Sequence, residues 1–229
     1  MIQAQGLAKY YGRITALRDI RLEIPCGQFV ALLGRNGAGK TTLLRILAGL
    51  TRPSAGTVAI AGLAPQAARG SVGYLAHSTA LYMDLTAWEN LRFYARLAGL
   101  GRAGADLERE IERVGLAGRA HEPVRHFSRG MQQRLAIARA FLHDPGIWLL
   151  DEPFTGLDQE GAQFLKGCLA GAHAAGRTIL MAVHDIALGY ELAQRFIVIE
   201  KGTVALDVMK TSMSLEELAG CFQAVAQGR

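Results

Sequence analysis

The chain has 229 residues, 50% of them hydrophobic, enough to enclose a sizeable core and too apolar for a disordered chain. Its formal net charge of +5 comes from scattered Lys and Arg with no basic run, which suits a solvated surface and an anionic ligand better than a nucleic-acid partner. Cys26, Cys168 and Cys221 are far apart and outside any metal-ligand spacing, which argues against a disulfide framework or zinc site and fits a reducing compartment.

The opening MIQAQGLAKYYGR lacks an apolar signal core, and no apolar run approaches the roughly 18 residues of a membrane span, so the chain is expected to be soluble. Short strands are predicted in GLAKYYG, RLEIPCGQFVALLG and GTVAIAG, with turns at Gly27, Gly56 and Gly62. The unbroken apolar run Phe29 to Leu33 predicts a strand buried on both faces. At Thr86-Ala-Trp-Glu89 a capping box opens a helical pattern, with Leu91, Tyr94, Ala95 and Ala98 on one face. Further helices are predicted near Asp106 to Val114 and from about Gly130 to His143. Strand signals return in IWLLD, RTILMAVH and FIVIEKG, alternating with helical stretches as in a parallel α/β sheet, and SLEELAGCFQAV reads as a capped amphipathic helix. With no repeat or linker between these parts, residues 1–229 read as one domain: core at about 1–84 and 145–229, helical subdomain at about 85–144.

Gly34-Arg-Asn36-Gly37-Ala38-Gly39-Lys40-Thr41 fits G-x-x-x-x-G-K-[ST] between an apolar strand and the helical run that starts at Thr42. Such glycines let backbone N–H groups converge on phosphate oxygens at a helix N-terminus, Lys40 neutralises the terminal phosphate, and the Thr41 hydroxyl can ligate Mg2+. The alternative, a glycine-rich turn carrying a lysine, leaves the flanking strand and helix unexplained. By itself this loop specifies only an NTPase. Asp151 and Glu152 end the strand IWLL, where ligand sites of open α/β sheets lie; Asp151 would hold the metal and Glu152 would polarise the attacking water. His184 follows TILMAV and could reach the γ-phosphate from a neighbouring strand.

In this order GRNGAGKTT, FSRGMQQRLAIARA, LLDEPFTGLD and AVHD resemble the ABC ATPase family over essentially the whole chain. The resemblance implies a P-loop NTPase (RecA-like) α/β core with an N-terminal antiparallel β part and an inserted helical subdomain. It implies ATP and Mg2+ as ligands, with Glu152, His184 and Lys40 catalytic. Ser128 and Gly130 match the signature motif, which binds the γ-phosphate of nucleotide held by another protomer; Phe127, Arg129 and Met131 depart from its usual LSGGQ form. Tyr11 stands where relatives stack an aromatic on adenine, the alternative being a strand aromatic packed in the core. Asp158 matches the D-loop, which registers two protomers. His77 occupies the position of a glutamine that touches magnesium and relays the nucleotide state, a replacement expected to make coupling more pH-sensitive.

The implied partners are a second ATPase protomer and transmembrane permease subunits at the cytoplasmic face of the membrane, with no nucleic acid. Within the family, LTAWENLRFYARL, DEPFTGLD and the histidine of GYLAH look like the haem-exporter ATPase of cytochrome c biogenesis, although Ser78 departs from that group. The competing expectation is a soluble ABC ATPase without a transport role, such as one serving iron–sulfur cluster assembly.

Overall fold

The computed structural model describes residues 1–226. An antiparallel sheet of order β2-β1-β4 is built from β1 (Ile2–Tyr11), β2 (Ile14–Ile24) and β4 (Ala55–Ile60). The second sheet, of order β5-β6-β7-β3-β8-β9, joins β3 (Phe29–Leu33), β5 (Val72–Leu75), β6 (Ile147–Asp151), β7 (Thr178–Ala182), β8 (Arg195–Glu200) and β9 (Thr203–Met209). Its pairs are parallel except β8 with β9.

β3 lies between β7 and β8, so both its edges are paired, and all five of its residues are buried, as the apolar run predicts. Alternation along the strand divides its side chains between two cores. Val30 and Leu32 point with Leu149, Leu180 and Ile197 towards the antiparallel sheet and α1 (Lys40–Leu47). Phe29, Ala31 and Leu33 point the other way, to Leu165 and Leu169 of α5 (Gln159–Ala174) and Leu218 of α7 (Leu215–Ala226). α1 carries Leu43, Leu44, Ile46 and Leu47 fully buried, each contributing about 1.5–3 kcal/mol by leaving water. That burial anchors the helix whose N-terminus faces the site.

Between the two stretches of sheet, α2 (Ala87–Leu97), α3 (Gly104–Arg113) and α4 (Arg129–Phe141) close a separate apolar core around Leu91, Leu107, Ile111 and Leu135. The capping box forms as expected: Thr86 Oγ1 accepts from Glu89 N at 3.1 Å, and Glu89 Oε2 accepts from Thr86 N at 2.8 Å. Ser214 and Glu217 do the same for α7, at 3.2 and 2.8 Å. The expected turn at Gly56 is not found. Gly56 lies inside β4 with φ 78°, where a Cβ would collide with the backbone carbonyl of Gly6, so its role is close strand approach.

Candidate active site

Leaving β3 at Leu33, the chain wraps through Gly34 to Gly39 before α1 begins. Gly39 takes the N-cap position with φ 114°, and a Cβ there would stand 2.6 Å from the Ala16 carbonyl oxygen, so only glycine fits. Gly39 offers no side-chain acceptor to the first-turn amides and no acidic residue occupies that turn, which leaves the positive helix end for an anion. Lys40 Nζ donates to the carbonyls of Gly34 at 2.7 Å and Arg35 at 3.2 Å, and lies 4.0 Å from Glu152 Oε1. Burial lowers the pKa of Lys40, while Glu152 and Asp151 counteract that loss of charge.

Thr41 Oγ1 donates to Asp151 Oδ1 at 3.0 Å, and Tyr74 from the neighbouring β5 donates its hydroxyl to Oδ2 at 3.4 Å. Asp151 is 1% exposed, and burial pushes its pKa up against the hydrogen bond from Thr41. Burial likewise pushes Tyr74 up, so its phenol stays a donor. Glu152 has φ 54°, a left-handed conformation that costs a non-glycine residue about 1–3 kcal/mol. Its N–H is held by the Ala182 carbonyl at 3.1 Å. This bend delivers Glu152 Oε1 to 2.5 Å from His184 Nε2, two residues beyond the end of β7.

A cavity of about 480 Å3 is lined by the loop from Asn36 to Thr42, by Asp151, Glu152 and His77, and by Ile14, Thr15 and Ala16. The structure thus brings together most predicted P-loop and strand-end residues, with His184 attached through Glu152. The Thr41 hydroxyl and Asp151 carboxylate form a hard, all-oxygen pair that fits Mg2+. Tyr11 is not in this lining. It is 46% exposed, with the Lys9 ammonium 4.9 Å from its ring, which overturns the core-packing alternative. Ile14, 69% exposed and unmarked by any sequence motif, lines the cavity.

Ser128, Gly130 and Asp158 form a second group outside the cavity. Ser128 caps α4, its Oγ accepting from Met131 N at 3.3 Å, and Asp158 caps α5, accepting from Gly161 N at 2.7 Å. The Cβ direction of Gly130 is 3.9 Å from the Asp158 carboxylate, so the two motifs adjoin. Gln133, buried in α4 and missed by sequence reasoning, donates to the Pro153 carbonyl at 3.2 Å and ties this group to the strand end carrying Glu152.

A phosphate-sized loop opening a helix, a buried lysine and two strand-end carboxylates define a P-loop nucleotide hydrolase. The family described as ABC transporter matches residues 17–155. The ABC transporter ATP-binding protein NatA of Bacillus subtilis is 37% identical over 92% of this chain and 90% of its own length. The aliphatic sulfonates import ATP-binding protein SsuB of Pseudomonas entomophila is 40% identical over 91% and 76%. An ATP-binding subunit of an ABC transporter superposes with a TM-score of 0.86 at 30% identity, covering 97% of this chain and 99% of that one. The dimeric post-hydrolysis state of an ATP-binding cassette bound to ADP and Pi superposes at 0.84 with 26% identity, covering 92% and 99%. The chain belongs to the ABC transporter family as an ATP-binding cassette, and it is an ATPase.

Proposed function

We propose that this cassette powers an ABC transporter by closing with a second copy of itself around two ATP molecules. The observation that carries the reading is the division of its motifs: Lys40, Asp151 and Glu152 face one cavity, whereas Ser128 and Gly130 stand outside it. One chain therefore offers half a site twice over, and a head-to-tail pair completes both. The dimeric cassette bound to ADP and Pi supports this arrangement.

In the closed pair, the amides of residues 36–41 and the Lys40 ammonium hold the β- and γ-phosphates. Magnesium, held by Thr41 and Asp151, would supply charge neutralisation at the phosphate oxygens. Glu152, oriented by Lys40 and His184, accepts a proton from water as the water oxygen bonds to the γ-phosphorus and the bond to the ADP oxygen breaks. Ser128 of the second copy reaches the γ-phosphate, and its loss on hydrolysis releases the pair.

Among the described residues no helix is long and apolar enough to cross a membrane, and translocation is assigned to permease subunits. An apolar groove of about 430 Å3 supports such docking, its walls including Leu50, 54% exposed, and Leu97, 72% exposed. Ala76 lines this groove and the next residue, His77, lines the nucleotide cavity, a direct route for relaying nucleotide state. This arrangement would place the cassette at the cytoplasmic face of the membrane. Export, with haem as cargo, rests on the resemblance of LTAWENLRFYARL, DEPFTGLD and GYLAH alone.

Size-exclusion chromatography with light scattering tests the core of this reading. Glu152→Gln is expected to run as a dimer in Mg-ATP and as a monomer without it. A variant that stays monomeric, alone and with its membrane partner, ends the proposal. Recovery with a polytopic membrane protein from detergent extracts supports transport, whereas recovery with soluble cluster-assembly proteins favours the competing role.

A further inference from the structure

A hollow of about 400 Å3 opens on the helical unit between α2, the segment 98–103 and the start of α3, sharing no lining residue with the nucleotide cavity. Three arginines, Arg92, Arg96 and Arg102, line it together with Trp88. Trp88, Arg92 and Arg96 are four residues apart and share one face of α2, where the Arg92 guanidinium carbon lies 4.9 Å from the Trp88 ring centroid. The Trp88 indole is pinned by its donation to the Gly104 carbonyl at 3.3 Å.

Arginine outnumbers carboxylate around this hollow, where Glu89, held by the hydrogen bonds of the Thr86 cap, also feels the charge of Arg92. Arg102 pairs with Glu110 at 3.2 Å and donates to the Leu142 carbonyl at 2.6 Å, and Arg113 shares that same Glu110, also at 3.2 Å. Among the described residues neither Arg92 nor Arg96 has a carboxylate within ion-pair distance. A solvated helix face ordinarily interleaves opposite charges at this spacing, and like charges there repel. Half-buried Trp88 and Leu100 give the hollow an apolar wall beside the cationic group, over a floor of buried Ala95 and Leu107.

We propose that this hollow binds a phosphate-bearing amphiphile, with Arg92 and Arg96 holding the phosphate and the apolar body resting against Trp88 and Leu100. Guanidinium forks match phosphate oxygens, and the volume falls within the range of small-ligand sites. This site does not depend on the composite ATP site proposed above.

The test follows Trp88 emission in a Trp148→Phe background, which leaves one indole, with ADP present to fill the P-loop. The probes are inorganic phosphate, soluble dihexanoyl phosphatidic acid, and phosphatidylcholine vesicles with and without phosphatidic acid. Emission should titrate with the phosphate-bearing amphiphile, more weakly as salt rises, and Arg92→Ala/Arg96→Ala should weaken the response by about tenfold or more. The Arg92→Lys/Arg96→Lys pair, which keeps the charge, should retain part of it. A response to phosphatidic acid vesicles assigns the ligand to the bilayer, and a response to the soluble amphiphile alone assigns it to solution. No response to either amphiphile, or an alanine variant that titrates like its parent, overturns the proposal. ADP affinity, read separately, shows whether the nucleotide site has failed instead.

Discussion

The proposed mechanism concentrates its chemistry in one strained residue, Glu152. Its left-handed φ of 54° is maintained because Asp151 ends β6 in register with Ala182, whose carbonyl then fixes the Glu152 amide. We expect Glu152→Gln to bind ATP with near-normal affinity and to hydrolyse it about 10²–10⁴-fold more slowly, as read by single-turnover assay, because the amide cannot accept the proton. Asp151 bears a different burden. Burial raises its pKa above the ordinary aspartate range, so the folded chain binds its proton more tightly than the unfolded chain. Its contribution to stability is therefore greatest at low pH and is lost as pH rises through the folded-state value. Asp151→Asn should melt higher than the parent at neutral pH without nucleotide, an advantage that disappears in acid. The same variant should lose most of the extra stabilisation that Mg-ATP gives over ATP alone, as calorimetry would record.

At the scale of elements, the passage from the nucleotide cavity into the helical unit hangs on Asn90. Fully buried on α2, it accepts from Tyr82 N at 2.8 Å and donates to the carbonyls of Tyr82 and Thr86, each at 2.9 Å. Asn90→Ala strands the Tyr82 N–H, at about 1–3 kcal/mol, while the Tyr82 and Thr86 carbonyls keep the backbone N–H groups of Leu85 and residue 90. Denaturant unfolding should show that loss, and hydrogen exchange should show faster opening of segment 82–86. The Thr86–Glu89 box that starts this helix was legible from sequence, because a capping box is a local pattern of four residues. Asn90 was not, because its partners come from a loop whose return to α2 only the packed chain determines. Tyr74 escaped notice for a similar reason: its hydroxyl meets Asp151 only because β5 lies beside β6.

For the whole molecule, the separation of Lys40 from Ser128 makes a prediction that no single-chain enzyme shares. Lys40→Ala and Ser128→Arg should each be inactive alone. Mixed, they should recover ATP turnover, because the heterodimer joins the intact P-loop of one copy to the intact signature of the other. Mixtures as inactive as their components would place each active site within one chain.

The sequence by itself determined the phosphate loop, the strand-end carboxylates, the helix starts and the family, since contiguous residues of fixed type and spacing carry these. Tertiary structure alone decided that Ile14 lines the cavity beside the phosphate loop, that His184 grips Glu152, and that three arginines surround one hollow on the helical unit. Those facts depend on strand order, register and helix packing. Such long-range arrangements arise from burying two opposed faces of one sheet, and no local run of residues encodes them.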